Sequence, residues 1–302
     1  MRTTGHPFGP ACLLCHAGSF TNVPVPTSLE LRRGCLAVSV LHDVDLEPAP
    51  LGVTLTGELD VWVSWRECLR ALAGHAPEAL EGRTRLAAWL LARRWAADAG
   101  RDAVRMRLRP VGLPIDHVLH PGLDWVRERV MGDALDLGLG AVGLDPSDPD
   151  RVVLLPATAL DALGLDVAVA WLRVGQALEH LGALAADRVR LDARGQLRPF
   201  GDCDAVTLLG ASTLRAALAE QGGGLGAAVV PMRTRGWTRL SLIDPAFGPA
   251  AAAATPAAER GFTRPLLITA EELTLVPEGG RSDVVLRDPA VSDPWGRDVL
   301  YR

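Results

Sequence analysis

The segment that decides the fold reads Leu155-Pro-Ala-Thr-Ala-Leu-Asp-Ala-Leu-Gly164-Leu-Asp-Val-Ala-Val-Ala-Trp-Leu-Arg-Val-Gly-Gln-Ala-Leu-Glu-His-Leu-Gly-Ala-Leu184, followed by Ala-Ala-Asp-Arg188-Val-Arg-Leu-Asp-Ala-Arg-Gly195-Gln-Leu-Arg-Pro-Phe200. Its apolar spacing predicts a short helix, a tight break at Gly164 and a longer amphipathic helix. The remainder alternates between apolar and polar residues, which predicts a two-stranded ribbon turning at Ala193-Arg-Gly195. The predicted elements are helices over Ala157–Leu163 and Val167–Leu184 and strands over Arg188–Asp192 and Gln196–Phe200.

Helix, turn, helix and hairpin in this order resemble a winged helix-turn-helix over residues 155–200. In the second helix, one stripe at helical spacing is apolar and can be buried. The resemblance implies that the second helix and the ribbon dock on DNA or on a protein partner. Residues 151–200 contain six arginines and five acidic residues, so both kinds of partner stay open. The contacts it implies are Arg173, Gln176, Arg188, Arg190 and Arg194.

Composition narrows the class of protein. The chain has 302 residues, of which 48% are hydrophobic and 22% charged, as in folded proteins of about two domains. No apolar run is long enough to span a membrane, and the first residues do not resemble a secretory signal. Five cysteines without such a signal predict reduced thiols in the cytosol.

All 31 basic residues are arginines, for which a high-GC coding bias is the simplest explanation. The absence of lysine excludes a P-loop lysine, a Schiff-base lysine and a Ser-x-x-Lys nucleophile pair. Arginine cannot replace lysine in these roles because it stays protonated. The net charge of −5 argues against a chain covered with nucleic acid.

The predicted fold class is α+β, with an N-terminal antiparallel sheet and helices followed by a mixed C-terminal part that contains the winged-helix-like unit. Alternation over Leu29–Leu46 predicts strands joined near Arg33-Gly34, and Leu51–Trp65 predicts more. Leu123–Val130 is predicted to be helical, and Ser212–Glu220 to be a helix capped by its serine. The predicted divisions are an irregular segment 1–27, a β-rich domain 28–114, a C-terminal domain 115–278 and a loose tail 279–302.

Cys12-Leu-Leu-Cys15-His16 is a candidate zinc site. The cysteines would be two ligands, and His6, His16, Cys35 or His42 would complete the set of four. A second paired half-site is missing, so two unrelated thiols are the simpler interpretation.

Asp202 and Asp204 are two residues apart at the start of an apolar segment. If that segment is a strand, both carboxylates lie on one face and can hold Mg²⁺, which is similar to nucleotidyltransferase folds. The Gly-Ser step that such enzymes use for the triphosphate is absent upstream. The simpler interpretation is a helix cap or a turn.

A second arginine patch surrounds Trp237. An aromatic side chain among arginines can stack on a base or contact an anion. The members of this patch are Arg233, Arg235, Trp237 and Arg239.

The sequence favours a non-enzymatic cytosolic binding or regulatory protein that docks on DNA or a protein through the winged-helix-like unit. One alternative is a Mg²⁺-dependent nucleotidyl- or phosphoryl-transfer enzyme that uses Asp202 and Asp204. Another is a zinc-stabilised component of a larger assembly.

Overall fold

The computed structural model describes residues 25–277, except Leu119, Ala193, Ile243 and Pro245. The predicted zinc residues Cys12, Cys15 and His16, with His6, lie outside the described residues, as does the predicted tail 279–302. Within the described range the fold is α+β, as predicted, with antiparallel sheets and helices.

The first part is an antiparallel three-stranded sheet packed against three helices, which confirms the predicted N-terminal sheet. The elements are α1 (Ser28–His42), β1 (Leu46–Ala49), β2 (Gly52–Leu55), β3 (Val61–Ser64), α2 (Trp65–Leu72) and α3 (Leu80–Arg107). The helix α3 bends at Gly100, whose φ of 74° and ψ of 168° are not helical.

The strands predicted over Leu29–Leu46 were largely wrong, because most of this segment forms α1. Thr27 and Glu30 form a capping box, in which the Thr27 hydroxyl accepts from the Glu30 N–H and the Glu30 carboxylate accepts from the Thr27 N–H. The buried residues Leu31, Cys35 and Val38 follow helical spacing. Burial of this face, together with the cap, outweighs the local alternation of apolar and polar residues.

The second sheet is built around the central strand β6. Its members are β4 (Leu108–Pro114), β5 (Arg127–Arg129), β6 (Leu135–Val142) and β7 (Val152–Leu154). The strand β4 pairs along one edge of β6, while β5 and β7 share its other edge. The boundary predicted at residue 114 therefore falls between two strands of one sheet. The helix predicted over Leu123–Val130 was wrong, because this segment forms a 3-10 turn and β5.

The third part combines helices with an antiparallel five-stranded sheet of order β12-β11-β9-β10-β8. Its elements are α4 (Ala157–Ala162), α5 (Val167–Leu191), β8 (Gln196–Leu197), α6 (Ala205–Leu208), α7 (Ser212–Gln221), β9 (Gly226–Met232), β10 (Arg235–Trp237), α8 (Phe247–Ala254), β11 (Leu266–Ile268) and β12 (Leu273–Leu275).

The predicted ribbon was wrong. Arg188–Leu191 is the last turn of α5, because Ala185, Ala186 and Val189 continue its buried stripe at helical spacing. The strand β8 pairs with β10 rather than with a neighbouring hairpin strand. The predicted helix-turn-helix order is present in α4 and α5, but its wing is absent from the described residues.

The three largest buried clusters of the described residues hold these layers together. The first lies between the N-terminal sheet and α1, α2 and the first half of α3. The second joins the far half of α3 to the second sheet, α4 and the start of α5. The third contains the rest of α5, α6, α7 and the third sheet. The long helices α3 and α5 therefore each contribute to two cores.

Candidate functional site: an apolar cleft lined by three arginines

A cleft that is partly open to solvent lies between α3 and the second sheet. Its walls are mainly apolar, and three arginines line it. No aspartate or glutamate is among the described residues that line it. The tryptophans and arginines of the lining are Trp89, Trp95, Trp125, Arg85, Arg151 and Arg233.

Two of the tryptophans are held by hydrogen bonds outside the cleft. The Trp89 Nε1–H donates to Asp124 Oδ2 at 2.7 Å, and the Trp125 Nε1–H donates to the Leu139 carbonyl at 2.9 Å. Their polar atoms are therefore satisfied within the protein, and the rings contribute apolar surface.

The Trp125 indole packs directly over Gly138 of β6, and there is room for the ring because Gly138 has no side chain. A Cβ at Gly138 would lie 2.2 Å from Cε2 of the Trp125 indole. Trp125 packs with Val111 and Leu113 of β4 and with Val152 and Leu154 of β7. Of these, Trp125, Val111, Val152 and Leu154 line the cleft and form its floor.

Arg85 is the only one of the three cleft arginines for which no carboxylate of the described residues lies within ion-pair distance. It is half-buried on α3, and its Nη1 donates to the carbonyl oxygen of His120. Burial lowers the pKa of Arg85, and no nearby negative charge opposes this shift. A half-buried cation of this kind gains stability when an anion reaches it.

Arg151 and Arg233 are already paired. Arg151 Nη1 lies 3.2 Å from Oδ2 of the buried Asp145. Arg233 contacts Oδ2 of Asp204 through Nη2 at 2.7 Å and Nε at 2.9 Å. Both guanidinium charges are thus balanced within the protein.

The segment that holds Arg85 is fixed by a buried network around Asp136 of β6. The Gly122 N–H donates to Nδ1 of His120 at 3.1 Å, so the proton is on Nε2, which donates to Asp136 Oδ2 at 3.0 Å. Arg127 and Arg129 also bind this carboxylate. Burial alone would raise the pKa of Asp136, but these partners outweigh it and hold the pKa at about 2.

His117 is a second buried histidine near the cleft. Burial, and then the charge of Arg233, lower its pKa to about 4. The ring is therefore neutral near pH 7.

The residues implied by the winged-helix resemblance lie on α5 or directly after it. Arg173 and Gln176 are exposed on α5. Arg188 lies 5.8 Å from the Phe200 ring and donates to the Pro199 carbonyl, while Arg190 pairs with Asp187 and Glu220. Arg194 is exposed after α5. Without the wing, docking of this segment on DNA or a protein stays a prediction.

The four residues of the predicted patch around Trp237 do not share one environment. Arg233 lines the cleft, whereas Arg235 is exposed on β10. The Trp237 ring packs edge-on against Phe247 at 4.9 Å, and Arg239 is exposed.

Asp202 and Asp204 have separate arginine partners. Asp202 lies 2.7 Å from Nε of Arg109, whereas Asp204 pairs with Arg233 and caps α6 by accepting from the Thr207 N–H at 2.7 Å. The segment after Asp204 is a helix rather than the strand that the Mg²⁺ interpretation requires. A carboxylate does cap a helix here, as in the simpler interpretation, and it is the carboxylate of Asp204 and not that of Asp202.

Two other candidate zinc ligands are described and lie apart. Cys35 is buried on α1 against Cys68 of α2, and His42 is exposed at the end of α1. Within the described residues, no group of three or more His, Cys, Asp or Glu side chains could hold a metal ion.

Sequence reasoning did not single out the cleft residues Arg85, Trp89, Trp95, Trp125 and Arg151. The cleft joins α3 to strands that are distant in sequence, so no local spacing indicates it. The only signal was the large number of tryptophans, eight in the chain.

No family model, curated protein or solved structure significantly matches this chain. None of the described helices is both long and apolar enough to cross a bilayer. The geometry of the cleft is therefore the basis for assigning a function.

Proposed function

We propose that this protein binds a small organic anion with an apolar body in the cleft between α3 and the second sheet. The observation that supports this most strongly is Arg85, a half-buried cation in the cleft. Among the described residues, no carboxylate pairs with Arg85 and no acidic side chain lines the cleft. Ligand sites are typically concave and mainly apolar, with a few polar groups that orient the ligand.

The two halves of the ligand would have different contacts. Its apolar part packs against the tryptophan rings and the floor residues, where it displaces water. Its negative group accepts hydrogen bonds from the Arg85 guanidinium, which one carbonyl contact, to His120, holds in place. This proposal keeps the expectation of a binding protein and moves the site from the predicted ribbon to the cleft.

A cytosolic location belongs to the same proposal. The three described cysteines, Cys35, Cys68 and Cys203, are all buried free thiols, which fits a reducing compartment.

The test compares 2-naphthoate with its neutral isostere 2-naphthamide by calorimetric titration of the purified protein. We expect naphthoate to bind at least about tenfold more tightly, since only the carboxylate can form a charge-assisted hydrogen bond with Arg85. Arg85→Gln should remove this preference.

Arg109→Gln is the matched control, because Arg109 pairs with Asp202 and is not part of the cleft lining. It should leave the preference intact. Equal affinity of the wild-type protein for both compounds, or no binding of either, would contradict the proposed function.

A further inference from the structure

The charged side chains around the cleft differ in whether they can still pair with a ligand. Asp145 is buried, pairs with Arg151 and accepts from the Ser147 N–H and hydroxyl, which fixes its carboxylate. Asp204 is fixed in a similar way, by the N-terminus of α6 and by two contacts to Arg233. Within the described part of the chain, Arg85 is therefore the one cleft arginine whose positive charge no carboxylate balances.

This difference limits the charge of the ligand. One negative group can pair with Arg85 through charge-assisted hydrogen bonds, which offset part of the cost of its desolvation. A second charge on the same ligand would enter an apolar cleft in which the other two guanidinium groups are already neutralised. It would lose its hydration without a comparable gain.

We infer that the cleft selects an aromatic monoanion over a dianion, and that Asp204 sets this selectivity by keeping Arg233 paired. The inference rests on the proposed function and adds the charge class of the ligand. The aromatic body follows from the three tryptophans, two of which present rings whose N–H groups are bonded elsewhere. Asp204 is a positioning residue here, since it acts on the ligand through Arg233.

The experiment compares 2-naphthoate with 2-naphthyl phosphate, a dianion at about pH 8 because the second pKa of a phosphate monoester is about 6. The wild-type protein should bind naphthoate at least about tenfold more tightly. Asp204→Asn should narrow or reverse this ratio, because it frees the charge of Arg233 for a second negative group. Asparagine is also a good helix cap, so α6 keeps its N-terminal hydrogen bond.

Asp202→Asn is the matched control, since Asp202 is exposed and pairs with Arg109 outside the cleft. It should leave the ratio unchanged. Tighter binding of naphthyl phosphate by the wild-type protein would overturn the inference, even if Asp204→Asn failed to fold. An unchanged ratio in a folded Asp204→Asn protein would also overturn it.

These outcomes differ from failure of the proposed function. If naphthoate binds no more tightly than naphthamide, anion binding itself is wrong, and the inference fails with it. If naphthoate is preferred over naphthamide but the dianion is bound best, the cleft binds anions and only the inferred charge class is wrong.

Discussion

The carboxylate of Glu179 on α5 caps the N-terminus of α7 at Ser212. It accepts from the Ser212 N–H at 2.8 Å, the Thr213 N–H at 3.0 Å and the Ser212 hydroxyl at 3.1 Å. The preceding residue, Ala211, has no side chain that could cap this helix. A residue from another helix thus supplies the cap that the sequence assigns to Ser212. Burial alone would raise the pKa of Glu179, but these backbone donors outweigh it and lower the pKa.

Glu179→Ala should lower the free energy of unfolding by about 1–2 kcal/mol, because it leaves the first N–H groups of α7 without a charged acceptor. Urea denaturation of the wild-type and variant proteins measures this loss of unfolding free energy. Glu220→Ala serves as the control. Glu220 is an exposed residue near the C-terminal end of α7, and its carboxylate pairs with the exposed Arg190. It should cost less than about 0.5 kcal/mol. Equal effects of the two substitutions would show that the contact between α5 and α7 is not a stabilising cap.

Asp136→Asn should lower the free energy of unfolding by about 2–3 kcal/mol at neutral pH, since it leaves three polar partners around a buried neutral group. The folded-state pKa of Asp136 is about 2, below the usual value of 3.8. Because this pKa is depressed, the stabilisation is complete above about pH 4 and is lost as the pH falls towards 2.

The difference between the wild-type protein and Asp136→Asn should therefore shrink over this acidic range. Unfolding curves at a series of pH values measure it. A difference that stays constant down to pH 2 would show that the carboxylate is not ionised in the way the network requires.

Gly138→Ala should destabilise the protein by about 2 kcal/mol, because the new methyl group overlaps the Trp125 indole and forces it to move. The same change should weaken naphthoate binding, since Trp125 belongs to the cleft floor. Gly175→Ala is the control: a Cβ there meets no atom within 4 Å, and alanine favours the helix α5 by about 1 kcal/mol. Thermal unfolding and calorimetry follow both effects. Normal stability and binding in Gly138→Ala would contradict the described packing.

His117 should titrate near pH 4 in the folded protein, as measured by the NMR shifts of its ring protons. Its pKa is lowered on folding, so the unfolded chain takes up the proton first, at about pH 6.5. Stability from this group is complete above about pH 6.5 and falls as the pH drops towards 4. His117→Gln should flatten the pH dependence of stability over that interval. A ring that titrates near 6.5 in the folded state would disprove the burial of His117.

Much of the secondary structure could be predicted from the local sequence. Alternation predicted strands that are present as β2 and β3, and helical spacing predicted α4 and the first turns of α5. Where prediction failed, two local signals disagreed. In α1 the capping box of Thr27 and Glu30 was present beside an alternating stretch, and burial against α3 decided in favour of the helix.

The candidate site was less predictable, because it depends on contacts across the chain. Nothing near Arg85 in sequence shows that the carbonyl of His120 will receive its N–H, or that no carboxylate will approach it. Arg233 was singled out for its neighbours Arg235 and Trp237, yet its partner is Asp204 on another element. Ion pairs between residues that are distant in sequence decide which charges are free. The local spacing of residues does not predict these ion pairs.

The bend in α3 at Gly100 has a consequence for the handedness of the amino acid at that position. Its backbone angles belong to a region that is essentially restricted to glycine, yet a Cβ added there would meet no atom within 4 Å. The obstacle to a side chain is thus chirality and not space. A mirror-image residue finds the same angles favourable, so D-alanine at this position, introduced by chemical ligation, would fit where L-alanine strains the chain.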